Sequence, residues 1–146
     1  MSYYLRYLST DPRPVTLDDL GTALAAADRS YLVEEDAAGA LVHFGDRLIA
    51  QLEINVPGDG LFEEELAELH ELAEEGSGAG LERVAAVVGD ATALVAVQVL
   101  WDGEEADAAL ALLDPLWEWL FRERPGLLQA DGEGFYDPER LILRVE

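Results

Sequence analysis

Between two Gly/Asp turns, Gly89-Asp90 and Asp102-Gly103, the chain runs almost without polar interruption from Thr92 to Trp101 and is rich in valine. A run this short cannot span a bilayer, and branched side chains favour the extended backbone of a pleated surface. The segment predicts a strand over 92–101 covered on both sides for much of its length. A strand buried on both faces needs neighbours beside it and other elements above and below, so the chain is committed to a layered fold. Gln98 is the one strongly polar residue in that strand. Burying its amide without partners costs on the order of 1–3 kcal/mol, so it needs a neighbour such as Arg6, Glu53 or His43.

The rest of the chain supplies strands and helices in a regular order. Alternation over 3–8 predicts a strand, and Thr16 with Asp19 forms a capping box that opens a helix over 17–28. Strands over 31–35, 40–44 and 47–56 make an antiparallel meander, its last hairpin turning at Gly45-Asp46. An acidic helix over 61–75 buries Phe62, Leu66, Leu69 and Ala73 and turns Glu63, Glu64, Glu65, Glu68, Glu71, Glu74 and Glu75 outward. The Gly/Ser segment 76–80 then leads to a short helix over 81–88. A helix over 104–122 is interrupted at Asp114-Pro115, where proline lacks the amide that bonds back one turn. Strands over 127–130, 134–136 and 141–145 close the chain. The predicted class is α+β, a single domain over 1–146 with a mostly antiparallel sheet and helices on one face. Its halves, 1–75 and 81–146, share an order of elements that suggests a duplicated β-α-β-β module with pseudo-twofold symmetry.

Charge restricts the partners. The chain carries 31 Asp and Glu against nine basic residues, all arginine, for a net charge of −22. This repels nucleic acid and anionic membrane surfaces, which leaves a neutral or cationic small molecule or a basic protein. A lysine-free chain rich in Ala, Gly, Leu, Val and Glu is also what GC-rich coding sequence produces, so acidity alone names no partner. With no cysteine, disulfides and thiolate chemistry are excluded. The first ten residues lack the pattern of a signal peptide, which makes the cytoplasm the expected location.

Sites are read from strand alternation. Arg47, Ile49, Gln51, Glu53 and Asn55 share one face of their strand, opposite Leu48, Ala50, Leu52, Ile54 and Val56. The first set, joined by Arg6, His43, Gln98 and Arg144, is expected on the open face of the sheet, as a cleft with Tyr4, Trp101 and Tyr136 in its walls or as wet cross-strand ion pairs. The candidate ligand-binding residues are therefore Arg6, His43, Gln51, Glu53, Gln98, Trp101 and Arg144. Trp119 lies off the buried stripe of its helix; exposed, it would anchor a homodimer or a partner protein, with Glu64, Glu68 and Glu71 as an acidic partner face. No metal site or cofactor is expected. His70 and Glu74 are a common solvated pair, and Asp131, Glu133 and Asp137 fail the calcium-loop spacing because Tyr136 stands where glycine is required. No catalytic residues are singled out. The preferred reading is a soluble, non-enzymatic binding module with a small-molecule or peptide cleft on the open sheet face. Its alternatives are an acidic inhibitor or immunity-type protein that neutralises a basic partner, and a small enzyme of unknown reaction.

Overall fold

The computed structural model describes residues 2–100 and 106–145. In chain order the elements are β1 (Ser2–Ser9), α1 (Leu17–Ala27), β2 (Tyr31–Asp36), β3 (Gly39–Phe44), β4 (Arg47–Asn55), α2 (Leu61–Glu74), α3 (Leu81–Asp90), β5 (Ala93–Leu100), α4 (Ala106–Ala111), α5 (Asp114–Glu123), β6 (Gly126–Ala130), β7 (Gly134–Tyr136) and β8 (Leu141–Arg144). Their local causes are those read from the sequence. At the start of α1, the Thr16 hydroxyl accepts the Asp19 amide at 3.1 Å while the Asp19 carboxylate accepts the Thr16 amide at 3.1 Å. This satisfies two amides that a helix start leaves without partners. Pro115 divides the predicted 104–122 helix, so that α5 starts afresh at Asp114 with Leu113 as its N-cap.

The strands form one antiparallel sheet in the order β2-β3-β4-β5-β1-β6-β7-β8. β5 therefore lies inside the sheet, between β1 and β4, as its apolar sequence requires. The α+β class and the antiparallel sheet agree with the expectation. Duplication fares differently in the connectivity. About the central β1–β5 pair the sheet extends three strands each way, but the chain enters the first meander at its outer edge, β2, and the second at its inner strand, β6. The two meanders are thus traversed in opposite spatial senses.

Helices cover both faces rather than one. On one face Leu5, Tyr7, Val95, Val97, Val99, Ala50 and Leu52 pack with Leu20 and Leu24 of α1 and with Leu116, Trp117 and Leu120 of α5. On the other, Leu8, Leu94, Leu127, Phe135 and Leu143 pack with Phe62, Leu69 and Ala73 of α2 and Val84 and Val88 of α3. The reason lies in the apolar residues at the β1 end, Leu8 and Leu94, which point away from the first core and need their own cover. α2 and α3 cover only part of this second face. The remainder, over β2 to β5, carries exposed Leu32 and Leu48.

A bulge resets the alternation of β4. Val42 stands opposite Ala50 but His43 opposite Leu48, so Ile49 is the extra residue. Ile49 joins Ala50 in the core while Leu48 is 40% exposed, which reverses the faces expected for these two residues. At the other end of the sheet, Gly134 (φ +138°) lies against β8 so closely that a Cβ would stand 1.9 Å from the Leu143 carbonyl oxygen. Only glycine fits there.

Candidate functional site

The sequence-derived candidates divide once they are placed. Gln51 pairs with Gln98, Gln98 with Tyr4, and Glu53 with Ala96, Ala96 with Arg6, so all six share the partly covered face. Tyr4, Gln51, Glu53, Ala96 and Gln98 surround a hollow of 110 Å³. That is well below the roughly 300 Å³ at which pockets begin to enclose a small molecule. Gln98 is half-exposed there, so water reaches its amide and the burial cost anticipated for it is not incurred.

Arg6 looks toward the same face but turns away from the hollow. Its guanidinium donates to Glu65 of α2 at 3.0 Å, to Gln129 at 2.8 Å and to Asp131 at 2.9 Å, while Gln129 donates to the same Asp131 oxygen at 3.1 Å. Gln129 is 1% exposed, so this network satisfies a buried amide and ties α2 to β1 and β6. Alternation on the individual strands does not reveal it, because its members come from three separate segments. His43 lies toward the β2 edge with Nε2 3.8 Å from Glu34, outside the hollow. Arg144 shares a row with Gly134, Ala130 and Leu5, on the opposite face from Arg6. Trp101 lies outside the described residues. Tyr136 does not face Tyr4, since its row runs through Leu128 to Tyr7 on the face covered by α5.

The partner-binding candidates are placed as follows. Trp119 is half-buried against the first core, with the Arg124 guanidinium 5.3 Å from its ring centre. Glu64, Glu68 and Glu71 are exposed on α2. His70 Nε2 lies 3.1 Å from Glu74. Among the described residues no three His or carboxylate side chains converge to hold a metal ion.

A larger cavity lies on the face that the sequence reading assigned to the core. α5 covers β1 and the near side of β6, but the sheet continues beyond it, and the step between helix and sheet leaves a cleft of 680 Å³. Its walls are Leu5, Leu110, Trp117, Phe121 and Leu128, with Tyr136 across from the helix. Asp114, Glu118, Glu133 and Asp137 stand round it with one cation, Arg122, which pairs with Glu123 at 3.2 Å. Glu133 is held from two sides: the Tyr3 hydroxyl donates to one oxygen at 2.7 Å and the Tyr136 hydroxyl to the other at 2.5 Å. Hydrogen bonding to Glu133, with burial, pushes the Tyr136 phenol up to about 12. Burial, followed by the same kind of hydrogen bond, pushes Tyr3 well above the ordinary phenol range. Both phenols therefore stay neutral donors, and their two hydrogen bonds fix the position of the Glu133 carboxylate.

Asp114 and Glu118 occupy i and i+4 on the cleft side of α5. Burial, and then the nearby Glu118 charge, raises the Asp114 carboxyl above its ordinary range. For Asp137, burial works against ionisation but is outweighed by the amides of Glu139 and Arg140 and by the Arg83 guanidinium, which together hold its carboxyl below the usual value. The result is an oily slot with an anionic rim. A rim of four carboxylates and one arginine over low-dielectric walls leaves a net negative field in the slot, and aromatic faces add to the attraction for a cation. Sequence reading missed the site because its walls come from separate segments, and because acidic residues are too frequent here for four of them to stand out.

Compared with protein-family models, curated proteins and solved structures, the chain matches none. Among the described residues no helix is long and apolar enough to cross a membrane.

Proposed function

We propose that the chain is a non-enzymatic binding module that holds a small amphipathic cation, an apolar body bearing an ammonium or guanidinium group, in the cleft beside α5. The observation that carries the reading is the combination of apolar and aromatic walls with four carboxylates around 680 Å³ of space. That volume lies within the range of small-molecule pockets, which the hollow on the opposite face does not reach. In this reading the site lies beside α5 rather than on the open face anticipated from the sequence. Binding rather than turnover is proposed because an apolar seat with a charged rim supplies shape and charge complementarity without specifying a reaction. The acidic-inhibitor reading stands on the exposed carboxylates of α2 alone, whereas the cleft combines shape, aromatic surface and charge.

Calorimetric titration with three probes of one shape tests the reading: phenethylammonium, phenethyl alcohol and 3-phenylpropanoate. The cation is expected to bind about tenfold more tightly than the alcohol, a difference of ~1.4 kcal/mol, with no measurable binding of the anion. Equal affinity for cation and alcohol would reduce the acidic rim to solubilising surface.

A further inference from the structure

The two edges of the sheet are finished differently. Along β8, Ser77 exchanges backbone hydrogen bonds with Arg144 at 2.9 and 3.1 Å, so a loop covers that edge. β2 forms the other edge, pairs only with β3, and has neither a proline nor a bulge in its six residues. Bonding in an antiparallel ladder alternates from residue to residue. The Gly45 amide donates to the Ser30 carbonyl at 2.8 Å, in the row beside the Tyr31–Phe44 pair, so Ser30, Leu32 and Glu34 bond toward β3. The amides and carbonyls of Val33 and Glu35 therefore point outward from the edge, and among the described residues no hydrogen bond reaches them.

A groove runs beside this free edge. α1 approaches β2 where Gly21 faces Val33, close enough that a Cβ on the glycine would stand 3.6 Å from the Val33 Cβ. Between helix and strand lies a cavity of 300 Å³ with Leu17, Gly21, Ala25 and Val33 in its walls and Asp18 and Glu35 beside them. Among the described residues no cation lines it. Alternation along β2 sends Glu34 and Asp36 to the other face, so acids border the edge on both sides.

We propose that β2 accepts an extended basic peptide of a partner protein as a ninth strand of the sheet, paired with the backbone of Val33 and Glu35 and with alternate apolar side chains seated between α1 and β2. In recognition of this kind, main-chain hydrogen bonds supply affinity and pockets for every second side chain supply selectivity. The free backbone groups call for a strand, and the acids set its charge. A second copy of the chain is the poorer occupant. Pairing β2 with β2 would bring Asp18, Glu34, Glu35 and Asp36 to the junction twice, between two molecules of net charge −22. The groove is separate from the cation cleft, with which its lining shares no residue.

The test is a titration of the full chain with three blocked hexapeptides, followed by amide NMR: one of alternating lysine and valine, the same peptide N-methylated at every residue, and its glutamate-for-lysine counterpart. The first is expected to give saturable shifts at the amides of Val33 and Glu35 and to slow their exchange with solvent, and the other two to do neither. The N-methylated peptide tests the main-chain bonds without altering the protein. Glu35 is exposed, and proline is tolerated at an edge position whose amide faces solvent, so Glu35→Pro should keep the fold, checked by an otherwise unchanged spectrum, and lose about tenfold in affinity for the first peptide. Glu35→Ala removes the same carboxylate but keeps the amide, and should lose no more than about threefold. Phenethylammonium binding in Glu35→Pro should match wild type, which separates this surface from the cleft. Absence of saturable shifts at millimolar peptide, undiminished binding of the N-methylated or glutamate peptide, or full affinity in Glu35→Pro would each overturn the proposal. So would protection of the Val33 and Glu35 amides that rises with the concentration of the free chain, since a second copy would then occupy the edge.

Discussion

Glu133 and Asp114 flank the same cleft but are maintained in opposite ways. Two phenols hold Glu133 in place by hydrogen bonds, whereas burial and Glu118 oppose the charge on Asp114. A carboxyl whose folded-state pKa is raised contributes favourably at low pH, and that contribution is lost as pH rises through the raised value. At neutral pH its charge is therefore a cost, offset by its favourable position in the first turn of α5, where an acid contributes about 0.3–1 kcal/mol. Asp114→Asn is expected to leave thermal stability nearly unchanged and to weaken phenethylammonium binding by on the order of 0.5–1 kcal/mol, the size of a partly exposed ion pair. Wild-type affinity should also begin to fall on acidification above the usual carboxylate range, and this early phase should vanish in Asp114→Asn. Titration calorimetry across pH checks both. Residues with local partners were legible in the sequence, as Thr16 and Asp19 illustrate. Arg6 was not, because Glu65, Gln129 and Asp131 reach it only through tertiary packing.

At the scale of elements, the β4 bulge supplies the sharpest contrast between pattern and fold. Strict alternation places Leu48 inside and Ile49 outside, and the extra residue reverses them. Ile49→Ala should destabilise by about 2–4 kcal/mol, the usual cost of emptying a buried aliphatic site, while Leu48→Ala should stay within about 0.5 kcal/mol. Urea denaturation of the two variants decides the matter, and the opposite ranking would mean that the strand is unbroken. Strand and helix order could be read because hydrophobic period and turn residues are local. The bulge and the division of helices between two faces could not, since both depend on what packs across the sheet. The apolar set Leu8 and Leu94 was the available sign: in strands whose odd positions already form a core, it needs a second cover.

The molecule as a whole carries its acidity as self-repulsion. A net charge of −22 on 146 residues raises the free energy of the compact state, and salt screens that repulsion. Melting temperature should therefore rise by several degrees between low salt and about 0.5 M NaCl, where the Debye length falls to a few ångströms. A melting temperature that falls instead would mean that attractive ion pairs such as Arg6–Glu65 and Arg83–Asp137 outweigh the excess. Against this background the cleft beside α5 is where four carboxylates stand over apolar walls. The cation cleft is the central assignment, and intermolecular NOEs from phenethylammonium test it most directly. Contacts are expected to the rings of Trp117 and Phe121 and to the methyls of Leu128; contacts to Tyr4 and Ala96 on the opposite face, with none in the cleft, would contradict it.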